Sequence, residues 1–298
     1  MTDSLASLRN KISSAEDLES VVRTMKAMAS SSITQYENAV RSLDDYYQTV
    51  QLGLAACFQQ EQTSRSITNQ HKPKSPAIAV IVFGSDQGLV GQFNEVIVEF
   101  VVDTLKELPG EKTVWGVGER LQSRLTETGL IRSLPKQQSS FMLPKSINAI
   151  SALVGDILIE IEALREQGAI EHVYLFHNRP HADSIYSPVS QQLFPLDASW
   201  RHKLADIHWP TNNLPEVMPK REQTLRAFVR EYLFVSLFRA CAESLSSENA
   251  SRLAAMQRAE KNIRELQEDM NRTFHSLRQS DIDEELFDVI SGFEALSE

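Results

Sequence analysis

The last third of the chain carries apolar residues at intervals of three and four positions. No glycine and no other proline stands between Pro219 and Gly292. A proline before a helix and a glycine after it are common boundaries of one uninterrupted helix, so this stretch predicts a helix over residues 220–291, about 110 Å long. Its apolar stripe is narrow, which is typical of a coiled coil rather than of a helix lying on a core. The stripe consists of Met256, Ala259, Ile263, Leu266, Met270, Phe274 and Leu277.

The N-terminal part of the chain has a second stripe of the same kind. Residues 1–52 contain no glycine or proline. Their apolar positions have a mean spacing of about 3.5 residues, which is the period of a left-handed supercoil. These positions are Leu5, Leu8, Ile12, Ala15, Leu18, Val22, Met25, Ala29, Ile33, Tyr36, Val40, Leu43, Tyr47 and Val50, followed by Leu54. Two such stripes can cover each other, so we expect an antiparallel coiled coil of an N-terminal helix, residues 1–58, and a C-terminal helix, residues 218–296.

The period of the pattern changes between these two helices. Residues 59–76 are polar and contain two prolines, which indicates a linker. Residues 77–83 form a continuous apolar run rich in β-branched side chains, as in a strand buried on both faces. Further predicted elements are helix 95–108, strand 113–117, helices 119–128 and 146–167, and strands 172–177 and 184–194. This alternation predicts a Rossmann-like α/β domain with a mostly parallel sheet at residues 77–210.

A loop with three glycines, Gly84, Gly88 and Gly91, joins the first predicted strand to the next helix. Dinucleotides and phosphates bind loops in this position, so a nucleotide-binding enzyme is one alternative, with Glu119 as a ribose ligand. However, the spacing fits neither the dinucleotide fingerprint nor the P-loop. We therefore favour a tight strand-to-helix turn as the explanation of the glycines.

Composition excludes several classes of function. The net charge is −10, from 30 basic and 40 acidic residues, which argues against nucleic acid or anionic lipid as the main partner. No apolar window is long enough for a transmembrane helix, and the first 20 residues lack the apolar segment of a signal peptide. Two cysteines, Cys57 and Cys241, are too few for a disulfide framework, and we expect both to be small buried hydrophobes.

No group of residues predicts catalysis or metal binding. His177 and His181 are four positions apart, but Pro180 interrupts any helix between them, and only Asp183 lies nearby in the sequence. We therefore expect no catalytic residue, no cofactor and no metal ion.

Three stretches resemble the γ subunit of F-type ATP synthases. In the C-terminal helix the family pattern is matched by Ser247, Glu248, Ala250, Arg252, Ala255, Met256, Ala259 and Asn262, then by Arg278, Gln279, Ile282, Glu285, Leu286, Ser291 and Gly292. The opening helix retains Arg9, Ile12, Ser14, Met25, Lys26, Ala29 and Ser31. The segment GSDQGLVGQFN is similar to the family's S-D-R-G-L-C-G-x-F-N loop, which is not a nucleotide site.

The resemblance implies a non-catalytic rotor shaft that couples ion flow through the membrane sector to ATP synthesis or hydrolysis. The implied partners are the α and β subunits of the catalytic ring, the ε subunit and the membrane c-ring. The implied location is peripheral, on the cytoplasmic face of a bacterial or archaeal inner membrane, without insertion into the bilayer. A generic coiled-coil scaffold is the other alternative, but it would not require the loop or the long C-terminal match.

The resemblance also implies which residues contact the β-subunit loops. Met25, Arg278 and Gln279 match family positions that face these loops, and Arg252 is a further candidate. Gln87 replaces the family's arginine, and Asp283 replaces its hydroxyl residue, so these two contacts depart from the pattern. The opening helix departs in charge as well: residues 1–56 hold five basic and seven acidic groups, whereas the family's helix is usually basic.

Overall fold

The computed structural model describes residues 4–62, 77–129, 141–182, 184–196 and 221–296, together with residues 204, 207, 209–211, 213, 215 and 216. Its elements in chain order are α1 (Leu5–Ser42), α2 (Asp44–Gln62), β1 (Ile78–Phe83), α3 (Phe93–Glu107), β2 (Lys112–Val117), α4 (Glu119–Glu127), α5 (Ile147–Glu166), β3 (His172–Arg179), β4 (Ser187–Phe194) and α6 (Arg221–Leu296). Within the α/β region each predicted element is present, with bounds that differ by three residues or fewer.

The N-terminal helix is interrupted, whereas the sequence predicts one helix to residue 58. Helix α1 ends at Ser42 and α2 begins at Asp44, with Leu43 in a turn between them. Asp44 and Asp45 stand in the first turn of α2, where negative charge is favourable beside the free amide groups of a helix N-terminus. Helix α2 then continues to Gln62, into the predicted linker, and the rest of that linker lies outside the described residues.

The C-terminal helix continues beyond its predicted end. Helix α6 contains 76 residues and passes through Gly292 to Leu296. A glycine inside a helix costs only about 1 kcal/mol relative to alanine, and a long helix tolerates this cost.

Contacts divide the chain into two compact units. Unit 1 consists of Met1–Ser30 and Arg252–Glu298, and unit 2 consists of Ser31–Ser251. These units follow contacts and do not test the predicted domain bounds of 1–58, 77–210 and 218–296, which stay a prediction.

Unit 1 is an antiparallel pair of helical segments from α1 and α6. Lys26 bonds to Glu260 and Glu19 bonds to Arg264, so the two segments run in opposite directions. Most of the predicted stripe is buried or half-buried, with Leu8, Ala15, Ala29 and Met256 buried.

Two predicted stripe positions of unit 1 are wrong. Leu18 is 56% exposed and Leu266 is 55% exposed. Next to Leu266, Gln267 is half-buried instead. The spacing cannot distinguish Leu266 from Gln267, because each lies three or four positions from both Ile263 and Met270.

The sheet of unit 2 has the strand order β2-β1-β3-β4. Strand β1 pairs in parallel with both β2 and β3, while β4 adds to β3 in antiparallel orientation. The prediction of a mostly parallel α/β sheet is therefore confirmed.

Helices cover both faces of this sheet. Alternate residues of β1 point to opposite faces, as in any strand. One face carries Ile78, Val80 and Val82, which pack with α3 and α4. The other face carries Ala79, Ile81 and Phe83, which pack in one core with residues of α2, α5 and α6.

The first part of α6 belongs to the second of these cores. From Tyr232 to Glu248 nearly every residue is buried, around the whole circumference of the helix. Helix α2 lies close against the turn of α6 that precedes this segment, since a Cβ atom on Gly53 would collide with the Phe228 ring. Cys57 and Cys241 are both buried in this region and are not joined in a disulfide, as predicted.

Candidate functional site

Arg278 lines an open depression on unit 1. The depression measures about 780 Å³, and Arg9 of α1 and His275 of α6 also line it. Both arginines are exposed, and no ion pair with a described residue is formed by either. Guanidinium groups bind carboxylates through paired hydrogen bonds, so this depression suits an acidic segment of a partner protein.

Gln279 and Asp283 lie in a fully exposed part of α6. Every residue from 278 to 292 is exposed. This part includes large apolar side chains, namely Ile282, Leu286, Phe287, Val289 and Ile290, and their exposed fractions range from 47% to 70%. Apolar side chains concentrated in this way mark a contact surface for another protein.

Met25 is half-buried in α1, beside an ion-pair network between the two helices. Lys26 donates to Glu260, and Arg264 donates to both Glu260 and Glu19, at 2.8 and 3.0 Å. The hydrogen bond from Lys26 is the main cause that lowers the pKa of Glu260. The cations nearest Met25 therefore have acidic partners within unit 1.

The Met25 and Arg278 positions lie far apart along unit 1. Lys26, next to Met25, faces Glu260, and Glu260 is 18 residues before Arg278 on the same helix (278 minus 260). At 1.5 Å per residue this separation is about 27 Å. The other two candidates lie elsewhere: Arg252 is half-buried on α6, and Gln87 is exposed in the glycine loop of unit 2.

The glycine loop uses its own polar groups internally. The amide of Ser85 donates to Asn94 Oδ1 at 3.0 Å, and the amide of Arg120 donates to the Ser85 carbonyl at 3.1 Å. The amide of Glu119, at the start of α4, donates to Asp86 Oδ1 at 3.0 Å. Phosphate binding needs free amides at a helix N-terminus, and at the start of α4 the loop already accepts from the amides of Glu119, Arg120 and Leu121.

Close packing explains the geometry of this loop. Gly118 has a φ of 114°, and a Cβ atom there would come within 2.8 Å of the Ser85 carbonyl oxygen. Ser251 of α6 donates to the carbonyl of Val90 at 2.6 Å and is buried. The loop is therefore a tight strand-to-helix turn that is bonded to the long helix.

A buried carboxylate, which the sequence analysis missed, lies at the centre of unit 2. Glu243 of α6 has a side chain that is only 7% exposed. Its Oε2 atom accepts from His177 Nε2 and from Arg179 Nε, both at 2.8 Å, and its Oε1 atom accepts from Arg239 Nε at 2.8 Å. A terminal nitrogen of Arg239 also lies 3.3 Å from Asp44 Oδ1. This cluster joins β3, α6 and the first residue of α2.

The protonation of this cluster follows from its partners. Burial alone would raise the pKa of Glu243, but hydrogen bonds from His177, Arg239 and Arg179 lower it to about 2. Burial lowers the pKa of His177 despite the neighbouring carboxylate. Neutral His177 must carry its proton on Nε2, because ionised Glu243 can only accept. A polar cavity of about 500 Å³ lies beside the cluster, and Tyr47 and Tyr232 line it.

One sequence signal could have identified Glu243. Arg239 and Glu243 stand four positions apart inside an apolar run, which is an ion-pair spacing in a segment that should be buried. Their partner strand is not visible from the sequence, since Arg179 is 64 positions from Glu243.

The two candidate histidines have different surroundings, and Asp183 lies outside the described residues. His177 is bonded to Glu243, whereas His181 is exposed. Among the described residues no group of three or more His, Cys, Asp or Glu side chains is arranged to hold a metal ion. The described helices also include none with the length and apolar character needed to span a membrane.

The fold defines a class of protein that contains, in one chain, an antiparallel pair of long helical segments and a small α/β domain. A family model described as ATP synthase matches residues 4–296. The chain belongs to this ATP synthase family.

Individual relatives are similar along nearly their full length. The ATP synthase gamma chain of Granulibacter bethesdensis is 28% identical over 311 residues, which cover 98% of this chain and 99% of the relative. The gamma chain of Polynucleobacter asymbioticus is 23% identical over 290 residues, which cover 97% of this chain and 98% of the relative.

Solved structures share the fold. A chain of the Euglena gracilis mitochondrial ATP synthase, solved by cryo-EM as OSCP/F1/c-ring, has a TM-score of 0.66 and 17% identity, with 98% of this chain and 94% of that chain covered. A chain of the central stalk/c-ring of the Tetrahymena thermophila mitochondrial ATP synthase has a TM-score of 0.54 and 22% identity. The match covers 80% of this chain and 99% of that chain.

Proposed function

We propose that this chain is the central rotor shaft, the γ subunit, of an F-type ATP synthase. The observation that carries the proposal is the family match over residues 4–296, which includes both helices of the shaft and the α/β domain. In this role the chain itself makes and breaks no covalent bond. Rotation presents a different face of the shaft to each β subunit and shifts the affinities of the catalytic sites in turn.

The exposed end of α6 supports a surrounding partner. Phe287 and Val289 are each 70% exposed in the chain alone, and they are flanked by acidic residues that keep the helix soluble. A ring of α and β subunits around the shaft would cover these apolar side chains. We further propose that the α/β domain contacts the c-ring and the ε subunit, and that the complex lies on the cytoplasmic face of the membrane as a peripheral assembly.

Co-expression with the α and β subunits of the same organism tests the proposal. We expect the chain to co-elute with three α and three β subunits in gel filtration, as the resemblance implies, and the complex to hydrolyse ATP. The chain alone should bind no nucleotide, because the glycine spacing of the loop fits neither the dinucleotide fingerprint nor the P-loop. A chain that elutes alone and binds ATP would instead support the nucleotide-binding alternative, and a chain that does neither would support a scaffold.

The proposed contacts with the β subunits are Met25, Arg278 and Gln279, with Arg252, Gln87 and Asp283 as secondary candidates. Arg278 has the best support, because it lies with Arg9 at an open depression. Arg278→Ala should slow ATP hydrolysis by the complex by about tenfold, the effect of losing one charge-assisted hydrogen bond. Arg272→Ala is the matched control, since Arg272 is 3.1 Å from Asp269 of its own helix. Equal rates for the two variants would exclude the Arg278 contact.

A further inference from the structure

Glu243 connects α6 directly to β3 and, through Arg239 of its own helix, to the start of α2. His177 and Arg179 of β3 both donate to Oε2, and Arg239 of α6 donates to Oε1. Arg239 extends the connection to Asp44 at the start of α2. A single side chain on α6 is therefore bonded to the central sheet and, through its neighbour, to a second helix.

The rest of the contact between α6 and the sheet is mainly apolar. Leu233, Leu237 and Leu245 of α6 pack in the same core as Leu175 of β3. Apolar packing is non-directional, so by itself it does not specify one rotational position for a helix that is buried around its whole circumference. Hydrogen bonds from guanidinium and imidazole groups have a fixed geometry, and rotation of α6 would break them.

A second polar contact lies two turns further along the same helix. Ser251 donates to the carbonyl of Val90 in the glycine loop, and the side chain of Asn178, next to His177 on β3, donates to the carbonyl of Phe93 at 3.0 Å. Ser251, Asn178 and His177 are all buried. These bonds hold the loop, the strand and the helix at one relative position, with Glu243 as the only charged acceptor among them.

A buried ion pair adds little to net stability compared with apolar residues of the same size, and its best-attested role is to fix which surfaces face each other. We propose that Glu243 is a positioning residue of the rotor, which fixes the rotational position of α6 relative to the sheet so that torque passes between the α/β domain and the shaft without slipping. The inference rests on the proposed function, because only a rotor carries torque across this contact.

Glu243→Gln in the complete, membrane-reconstituted ATP synthase tests the inference. The substitution keeps the size of the side chain but removes the charge that binds both arginines. Glu222→Gln is the matched control, since Glu222 lies on the same helix, is 79% exposed and forms an ion pair with Arg226, one turn away. ATP hydrolysis and ATP-driven ion uptake into vesicles are measured together, first without and then against an imposed ion gradient.

We expect Glu243→Gln to hydrolyse ATP at the unmodified rate but to lose ion uptake per ATP under load, by about tenfold or more, because the charge-assisted hydrogen bonds from Arg179 and Arg239 are both weakened. The Glu222→Gln complex should behave as the unmodified one. A merely structural role would lower hydrolysis and uptake in the same proportion, with no dependence on load, and this result would overturn the inference. An unchanged ratio of ion uptake to ATP hydrolysis under load would also overturn it.

Arg179→Gln keeps the test decisive if Glu243→Gln fails to assemble. The Arg179 side chain is 47% exposed, so its loss disturbs the core less, yet it removes one of the two bonds from β3 to Glu243. It should give the same load-dependent loss in weaker form, and a load-independent ratio would overturn the inference. An unmodified complex that shows no ATP-driven ion uptake would contradict the proposed function itself, before any variant is compared.

Discussion

Glu243 shows how one buried charge depends on several partners at once. Its carboxylate has exchanged water for three nitrogen donors, and removal of the carboxylate leaves these donors without an acceptor. The cost depends on how easily each donor regains water. His177 is 1% exposed and cannot, whereas Arg179 and Arg239 are partly exposed and can.

Glu243→Ala should therefore lower the free energy of unfolding of the isolated chain by about 3 kcal/mol, the lower end of the range for breaking a buried ion pair. Urea denaturation followed by tryptophan fluorescence measures this change, because Trp115 is buried in the core that contains α6. The matched control is Glu222→Ala, an exposed substitution that should stay within about 0.5 kcal/mol. An equally small change in the free energy of unfolding for both variants would show that the hydrogen bonds to Glu243 contribute little to stability.

The same cluster predicts how stability depends on pH. Glu243, Arg179 and Arg239 face His177, and Asp44 faces Arg239. Because burial lowers the pKa of His177, the unfolded chain binds a proton below about pH 6.5 that the folded chain does not. The contribution of His177 is complete above this pH and is lost as pH falls, by up to about 1.4 kcal/mol per pH unit.

His177→Gln separates this contribution from the others, since glutamine can donate to Glu243 but does not titrate. Between pH 7 and pH 5, the free energy of unfolding of the variant should fall less steeply than that of the natural chain. Identical slopes would contradict the neutral state of His177. A second loss belongs to Glu243 and begins only below its ordinary pKa of 4.5, since its own pKa is lowered to about 2.

At the scale of elements, the helical pair of unit 1 depends on which residues occupy its seam. Met256 is 3% exposed, whereas Leu266 is 55% exposed although it has the same apolar character and satisfies the same spacing. Half-buried Gln267 takes the seam position, and its Nε2 atom has no hydrogen-bond partner among the described residues. Burial, and not residue type, should therefore decide the effect of a substitution.

Met256→Ala should destabilise unit 1 by about 2–5 kcal/mol, as for a large core residue reduced to alanine, whereas Leu266→Ala should stay within about 0.5 kcal/mol. Thermal unfolding followed by circular dichroism compares the two variants on the same helix. Equal losses would mean that Leu266 occupies the seam after all, as the spacing alone suggests.

At the scale of the whole molecule, the sequence predicts periodic features and misses the ones that depend on distant residues. The stripes of both long helices and the buried strand at residues 77–83 follow from spacing, because each element repeats its own pattern. The break at Leu43 has no glycine or proline to mark it. The Glu243 cluster needs β3 beside α6, and no local pattern specifies that pairing. The contact residues Met25, Arg278 and Gln279 rest on family resemblance, and their role stays a prediction.

Substitutions at the exposed end of α6 should affect the assembly of a complex but not the stability of the isolated chain. Phe287, Val289 and Ile290 are 53–70% exposed, so they contribute little to the fold. Replacement of all three by serine should change the stability of the isolated chain by less than about 1 kcal/mol. In a complex that surrounds the shaft, the same side chains would be covered, and their loss should weaken assembly or slow rotation under load.

Two measurements on the triple variant decide between these roles. Thermal unfolding of the isolated chain should match that of the natural chain, while the yield of complex with α and β subunits, or ATP-driven ion uptake by that complex, should fall. A variant that unfolds at a lower temperature would show that the apolar end packs within the chain itself. A variant with unchanged stability, yield and ion uptake would show that no partner covers this end, and the concentration of apolar residues there would need another explanation.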